Sequence, residues 1–494
     1  MTTPKKALIT SVISLGISSL LVSCLPEPEI TYPIVDTNQG TCYDNSTLID
    51  CPMSESSSFF GQDAQYTGNT PSYTDNGDGS ITDNVTNLVW TQSVSTYAMP
   101  WSDASTYCES LNTAEIEDWR LPTVKELWSI RDFSQGMPWV DTQYFYLVGD
   151  GSDNAQHHSW TSNPYLVVSD YQNEQVQDDP SWIVNDWSGH IKAMSGNRFV
   201  RCVSAEEGVY GVNDFVDNHD GTISDNATGL MWSKDDNGEA INWEAALNYA
   251  KDANLAGYND WRLPNAKELQ SLADYSGIFP VLDSTVFNLT ELTNTVYDSE
   301  TGNVIDTQLT YPFYWTNSSN PITSDDDSVE GGNIYAWLLA SGYNPDTSGY
   351  DLHGAGSIVF DTKAEEVSDG SDVEIFYHYV RLVRGGNVTF TPEGNPDIIN
   401  VDRVVSFADG DVGGSGGEGT VVDFTPGVSY LAEIDILISA EELEEIIAGP
   451  PSPTAAELVE NFAAEGIEIT EAQAQALLDA IGLADEMTEE NDLT

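Results

Sequence analysis

Two short loops concentrate oxygen-bearing side chains: Asp75, Asn76, Asp78, Asp83 and Asn84 in one, and Asp217, Asn218, Asp220, Asp225 and Asn226 in the other. Carboxylates and amides interleaved with glycine can gather six to eight oxygens around calcium. They can also bond their own backbone and fix a tight turn. An EF-hand needs ligands at its first, third and fifth positions and glycine at its sixth. Counting from Asp75 puts Gly77 and Gly79 at ligand positions and Ser80 at the glycine, and counting from Asn76 puts Ile81 there. The EF-hand is excluded. The turn reading accounts for most of the pattern, and the alternative is a calcium site of other geometry on Asp75, Asn76, Asp78, Asp83, Asp217, Asn218, Asp220 and Asp225. Gly79 recurs as Gly221 whereas Gly77 becomes His219, so only the former position is expected to demand glycine. No other cofactor is implied.

The loops must be carried by a repeated scaffold, because their surroundings recur too. Trp90 matches Trp232, Trp101 matches Trp243, and "DWRLPTVKEL" from Asp118 matches "DWRLPNAKEL" from Asp260. Further on, Trp160 faces Trp315, Trp182 faces Trp337 and Arg201 faces Arg381. Each unit reads as a strand-turn-strand opening, then a helix whose Trp101, Ala104, Cys108 and Leu111 fall at helical spacing. A second helix follows, with a capping box at Thr123 and Glu126, repeated at Asn265 and Glu268. Loops and short strands around Trp160, Trp182 and Val200 complete an α+β unit. The expected domains are a signal peptide at 1–23, a spacer at 24–71, units at 72–208 and 209–386, and an acidic C-terminal region at 387–494. Three capping signals in that last region (Ser439 with Glu442, Thr454 with Glu457, Thr470 with Gln473) point to short helices in a small appendage.

Cysteine usage speaks to compartment. Lys5 and Lys6, a short apolar stretch and then Leu21-Val22-Ser23-Cys24 have the form of a bacterial lipoprotein signal, with Cys24 carrying the lipid. Export, a membrane anchor and a place in the cell envelope follow, and Leu25 after the cysteine points to the outer membrane. Cys108 aligns with Ala250 and Cys202 with Leu382, so both cysteines are missing from the second unit together. A bonded pair is lost in that way, since a stray thiol in an oxidising compartment is reactive. Cys108 is therefore expected to bond Cys202, which leaves Cys42 for Cys51.

Charge narrows the partners. Eighty acidic residues against 16 basic ones give a net charge of −64, which opposes binding to nucleic acid. Arginines 120 and 262 share one repeat position and 201 and 381 another, as expected of buried partners of carboxylates rather than of a basic binding patch. The six histidines have no metal-ligand spacing, and His157-His158 reads as a solvated pair in a loop. No nucleophile triad, phosphate loop or dinucleotide fingerprint stands out. Binding without catalysis is the expectation.

The residues "DNGDGSITDN", "DWRLPTVKEL" and "FVRCV" resemble the Lcl C-terminal domain family, named for the end domain of a collagen-like bacterial adhesin. The resemblance implies tandem C-type-lectin-like domains, in which a cysteine of the first helix is bonded to one in the last strand; Cys108 and Cys202 fit, and the second unit departs from the pattern. It also implies adhesion through a glycan or surface-protein ligand. An acidic glycan fits poorly with so few cations. The sugar-binding triplets of that fold are not matched: Asn344-Pro345-Asp346 and Asn185-Asp186-Trp187 read as chance. Trp139, Tyr144, Tyr146 and Trp187 are the candidates for stacking on sugar rings. The alternatives are an enzyme or enzyme accessory on a variant like that of the formylglycine-generating enzymes, which need a reactive cysteine pair, and a structural envelope component.

Overall fold

In a computed structural model, the described residues are 30–134, 138–147, 158–166, 180–297, 303–320, 333–344, 353–367 and 376–392. The signal, Cys24 and the proposed C-terminal helices lie outside them. The described part is mostly β-strand in several small antiparallel sheets, with four α-helices. Helices α1 (Trp101–Glu109) and α3 (Trp243–Lys251) are equivalent, as are α2 (Val124–Ser129) and α4 (Ala266–Ser271). Both expected capping boxes form: Thr123 with Glu126, and Asn265 with Glu268. A cap of this kind satisfies donors that a six-residue helix cannot satisfy internally.

Each unit opens with the expected hairpin, and both are built in one register. Ile81 pairs with Trp90 and Trp90 with Val203; in the second unit Ile223 pairs with Trp232 and Trp232 with Val383. Alternation places Ile81, Trp90, Ile223 and Trp232 in the core.

The units are joined by a shared six-stranded sheet. Its strands are β1 (His158–Pro164), β2 (Ser181–Asn185), β3 (Ile191–Met194), β4 (Phe313–Asn320), β5 (Tyr335–Ala340) and β6 (Ile358–Thr362), in the order β4-β5-β6-β3-β2-β1. The seam is an antiparallel pairing of Ile191 with Ile358. These two residues are equivalents, since Ile191 pairs with Val184 within its unit and Ile358 pairs with Leu339 within the other. The seam therefore lies on a pseudo-two-fold axis. Helix α2 packs on β1 and β2, α4 on β4 and β5, and α2 and α4 on each other.

Side chains at the seam obey the same symmetry. Trp337 meets Phe133 edge-on at 5.5 Å, and Trp182 meets Tyr275, the equivalent of Phe133, at 5.2 Å. Gly189 has φ +79°, and a Cβ there would lie 2.7 Å from Trp337. Its counterpart Gly356 has φ +105° and sits against Tyr275, Val281 and Trp182. Gly189 makes room for the tryptophan of the other unit, whereas Gly356 is crowded chiefly by Tyr275 and Val281 of its own unit, with Trp182 in ordinary contact. Lys125 Nζ donates to Ser271 O at 2.7 Å and Lys267 Nζ to Ser129 O at 2.9 Å, an exchange between the last turns of α4 and α2.

The segment expected to be a spacer is part of the body from Ile30 onward. Tyr32, Val35, Thr37, Gln39 and Asp63 are buried. Residues 66–67 pair with Thr389–Phe390, Phe59 packs on Trp243, and the Gln39 amide brackets Ser319 through both its N–H and its C=O. Lys363 donates to Asp44 O and Asn333 O, with its ammonium over the rings of Trp243 and Tyr43. The spacer reading failed because prolines and a small disulfide loop look alike whether a segment is solvated or strapped across a neighbour.

Substituting Gly189 by Ala should cost roughly 2–3 kcal/mol, from positive-φ strain and overpacking against Trp337. Gly77→Ala should cost about 1 kcal/mol, because nothing lies within 4 Å of a Cβ there. Urea unfolding of both variants checks this, and equal losses would show that the glycine at the seam serves only its turn.

Candidate functional site

The residues that prompted the calcium reading spend their oxygens chiefly on their own turns and otherwise on neighbours such as Gln92, Asn213 and Lys234. Asp75 Oδ1 accepts from Gly77 N at 2.8 Å, and Asp217 Oδ1 accepts from His219 N at 2.8 Å. Asp78 Oδ1 accepts from Ser80 N and Oγ, and Asp220 Oδ1 does the same for Thr222. The amides of Asn76 and Asn218 reach across their hairpins to hydroxyls. Asp83 and Asp225 are buried, and each accepts from backbone N–H two residues ahead. These are Asx turns. Among the described residues, no group of three or more His, Cys, Asp or Glu side chains is placed to hold a metal. His219 adopts φ +60° where Gly77 has +73°, so an imidazole side chain occupies that turn, while Gly79 and Gly221 pack on Thr113 and Leu255.

The two disulfides are Cys42–Cys51 and Cys108–Cys202, as the repeat predicts. The matched arginines divide into two kinds. Arg120 and Arg262 grip Glu126 and Glu268 with both terminal nitrogens, so each capping-box carboxylate also closes an ion pair. Burial alone would lower the Arg262 guanidinium, but the Glu268 charge holds it above its ordinary value. Arg201 and Arg381 have no carboxylate in this role, which corrects the sequence expectation. Arg201 donates to the carbonyls of Thr91, Gln92 and Tyr146 and lies over Phe145. Arg381 donates to those of Ser233, Lys234 and Asn288 and lies over Phe287. Burial pushes Arg201 down to about 10, against the pull of Asp186.

One ion pair escaped sequence reasoning. Arg131 and Asp186 meet at 2.5 Å with neither side chain exposed. The backbone bonds Trp139 N to Asp186 O and Val281 N to Ser341 O match, as do Asp132 N to Trp139 O and Asp274 N to Val281 O. The second unit therefore holds Ala273 and Ser341 at these positions. Like the disulfide, the pair is absent from that unit as a whole. Alignment of 131 with 273 and of 186 with 341 contained this signal.

Of the stacking candidates, Trp139 is wholly buried and edge-on to Trp337 at 5.1 Å, which removes it from the surface. Tyr144 is half-buried against Tyr73, and Tyr146 is half-buried, its carbonyl bound by Arg201. Trp187 is half-buried on the turn after β2. Among the described residues the exposed rings lie elsewhere: Tyr97 (62% exposed), Tyr249, Tyr258, Tyr377 and Phe390, with Tyr107 edge-on to Tyr97 at 6.5 Å. Tyr107 and Tyr249 hold the same position on α1 and α3. His158 is buried and its ring bonds the Asn185 amide, so the expected solvated pair is not formed by that member. His157 lies outside the described residues.

Asp63 is a further buried acid that sequence did not single out. Its Oδ2 accepts from Thr37 Oγ1 at 2.8 Å and from Ser318 Oγ. Burial, then the nearby Asp36 charge, push the carboxyl up to about 8.

This α+β chain of two dyad-related units, with bidentate Arg–Glu pairs fixing the start of each second helix, defines a paired module whose polar groups are largely committed internally. The Lcl C-terminal domain model matches residues 79–204 and 221–384, more than half of the sequence, and the chain belongs to that family. Searches of curated proteins and of solved structures gave no match.

Two outcomes are expected. Arg131→Ala should cost about 3–5 kcal/mol by stranding the Asp186 charge, and adding Asp186→Ser should recover part of that loss. Additive losses in the double-mutant cycle would sink the coupling. For Asp63 the folded pKa lies above the unfolded one, so its contribution is full below about pH 4 and is lost as pH rises through about 8. Asp63→Asn should flatten the fall in denaturation midpoint between pH 4 and 8; an unchanged slope would assign the dependence to other groups.

Proposed function

We propose that this is an exported envelope protein, anchored by lipid on Cys24 in the outer membrane, whose two units have a C-type-lectin-like fold and bind a surface ligand without catalysing a reaction. The observation that carries this reading is where cations and rings are found. The matched arginines are held by Glu126, Glu268 and backbone carbonyls, and Lys125, Lys267 and Lys363 are spent on carbonyls inside the body. Tyrosine rings at 97, 249 and 377 are left at the surface, while the Arg384 guanidinium lies over that of Tyr258. A surface with exposed rings and little free positive charge favours a neutral sugar or a protein over a sulfated or uronic polymer.

The formylglycine-generating reading gains no support, since all four described cysteines are in disulfides. Screening the mature chain against neutral and acidic glycans and against whole cells, with and without calcium, tests the proposal. Binding to neutral glycans or cells that is indifferent to chelator is the expected result. Turnover of a substrate with no binding in either condition would falsify it.

A further inference from the structure

The place where the chain enters the body says which face meets the membrane. Ile30 follows Cys24 by six residues, and six residues extend at most roughly 20 Å. A folded body of this size is roughly 50 Å across. Such a tether keeps the surface at Ile30 close to the headgroups and turns the opposite face away. This holds whatever path residues 25–29 take.

The entry point is fixed. Thr31 N and Tyr32 N both donate to Ala227 O, at 2.9 and 3.1 Å, and Tyr32 packs on Tyr210 at 4.9 Å. A Cβ at Gly229 would lie 3.5 Å from Ile30 Cδ1, so the isoleucine lies over the turn of the second unit's hairpin. Asn226 N in that turn donates to Asp214 O, and Asp214 is flanked two residues away on either side by Val212 and Val216. Ile30 is 46% exposed, Val212 52% and Val216 43%. Three aliphatic side chains thus stand in solvent on the hairpin that receives Ile30, on its lead-in and on Ile30 itself, with exposed Asp214 between the two valines in sequence.

We propose that the face formed by Ile30, Val212 and Val216 rests on the lipid bilayer that holds the Cys24 anchor. The inference depends on the lipoprotein reading above. Aliphatic groups held within the tether's reach bury their area in the headgroup boundary, and the anchor supplies the proximity that three side chains alone could not. Asp214 and the net charge of −64 make a zwitterionic bilayer the fitting surface.

The test uses full-length protein purified with its lipid, in variants Val212→Cys and Val216→Cys labelled with an environment-sensitive fluorophore and reconstituted into phosphatidylethanolamine–phosphatidylcholine vesicles. Mass spectrometry first establishes whether Cys24 carries diacylglycerol. Nitroxide-labelled lipid should then quench both positions several-fold more in the lipidated protein than in a Cys24→Ser form mixed with the same vesicles. Without acylation, both the anchor reading and this inference fall. Acylated protein whose two labels are quenched no more than the unanchored form overturns the docking face alone.

Discussion

Two copies of one unit in a single chain must each hide an edge strand, and the pairing of Ile191 with Ile358 solves that for both at once. An unpaired sheet edge is a site of misassembly, and closing it against an equivalent edge leaves no exposed ladder at the centre. Everything near the seam follows from that choice. Glycine is required at 189 because the partner's Trp337 passes there, and at 356 because φ is +105° and Tyr275 and Val281 crowd the position. Lysine suits positions 125 and 267 because a long cation can reach the carbonyls at the end of the other helix, where the helix dipole also favours it. Burial pushes both ammonium groups down to about 8, against nearby carboxylates of Asp225 and Asp274 in one case and Asp132, Asp36 and Asp83 in the other.

Around this symmetric centre the units are stabilised by different means. The first has the Cys108–Cys202 bridge and the buried Arg131–Asp186 pair. The second has neither, and the N-terminal segment lies across it instead. Lys363 is held between Tyr43 and Trp243, Tyr66 covers Arg262, and Phe60 and Tyr66 both pack on Phe390. The Cys42–Cys51 clip shapes the loop that supplies Asp44 O to Lys363. A covalent link that limits the unfolded chain has been exchanged for buried area contributed from elsewhere in sequence.

Local features were legible because their causes are local. Capping boxes, helical spacing and the hairpin turns are each decided within a few residues, and the repeat converted two missing cysteines into a pairing. Partners far along the chain were not. Nothing about Trp139 separates an exposed ring from one wedged against Trp337, and hydrophobic pattern cannot say that β3 continues into β6. Arg201 shows a subtler limit. Arg201, Arg262 and Arg381 are inside as expected and Arg120 is half-buried, but a buried guanidinium can be satisfied by three carbonyls as well as by a carboxylate, and only the fold decides.

The excess of acid bears on what such a body can meet. Because the few cations at matched positions are consumed by Glu126, Glu268, carbonyls and aromatic faces, the outer surface has little with which to oppose its own negative charge. Long-range attraction then favours cationic partners, weakens with salt and leaves neutral ones unrepelled, while short-range selection falls to rings and hydrogen-bonding groups. Tyr107 and Tyr249 hold one position on α1 and α3, yet Tyr249 is exposed whereas Tyr107 is half-buried against the first unit's core, so the two units turn different surfaces outward there.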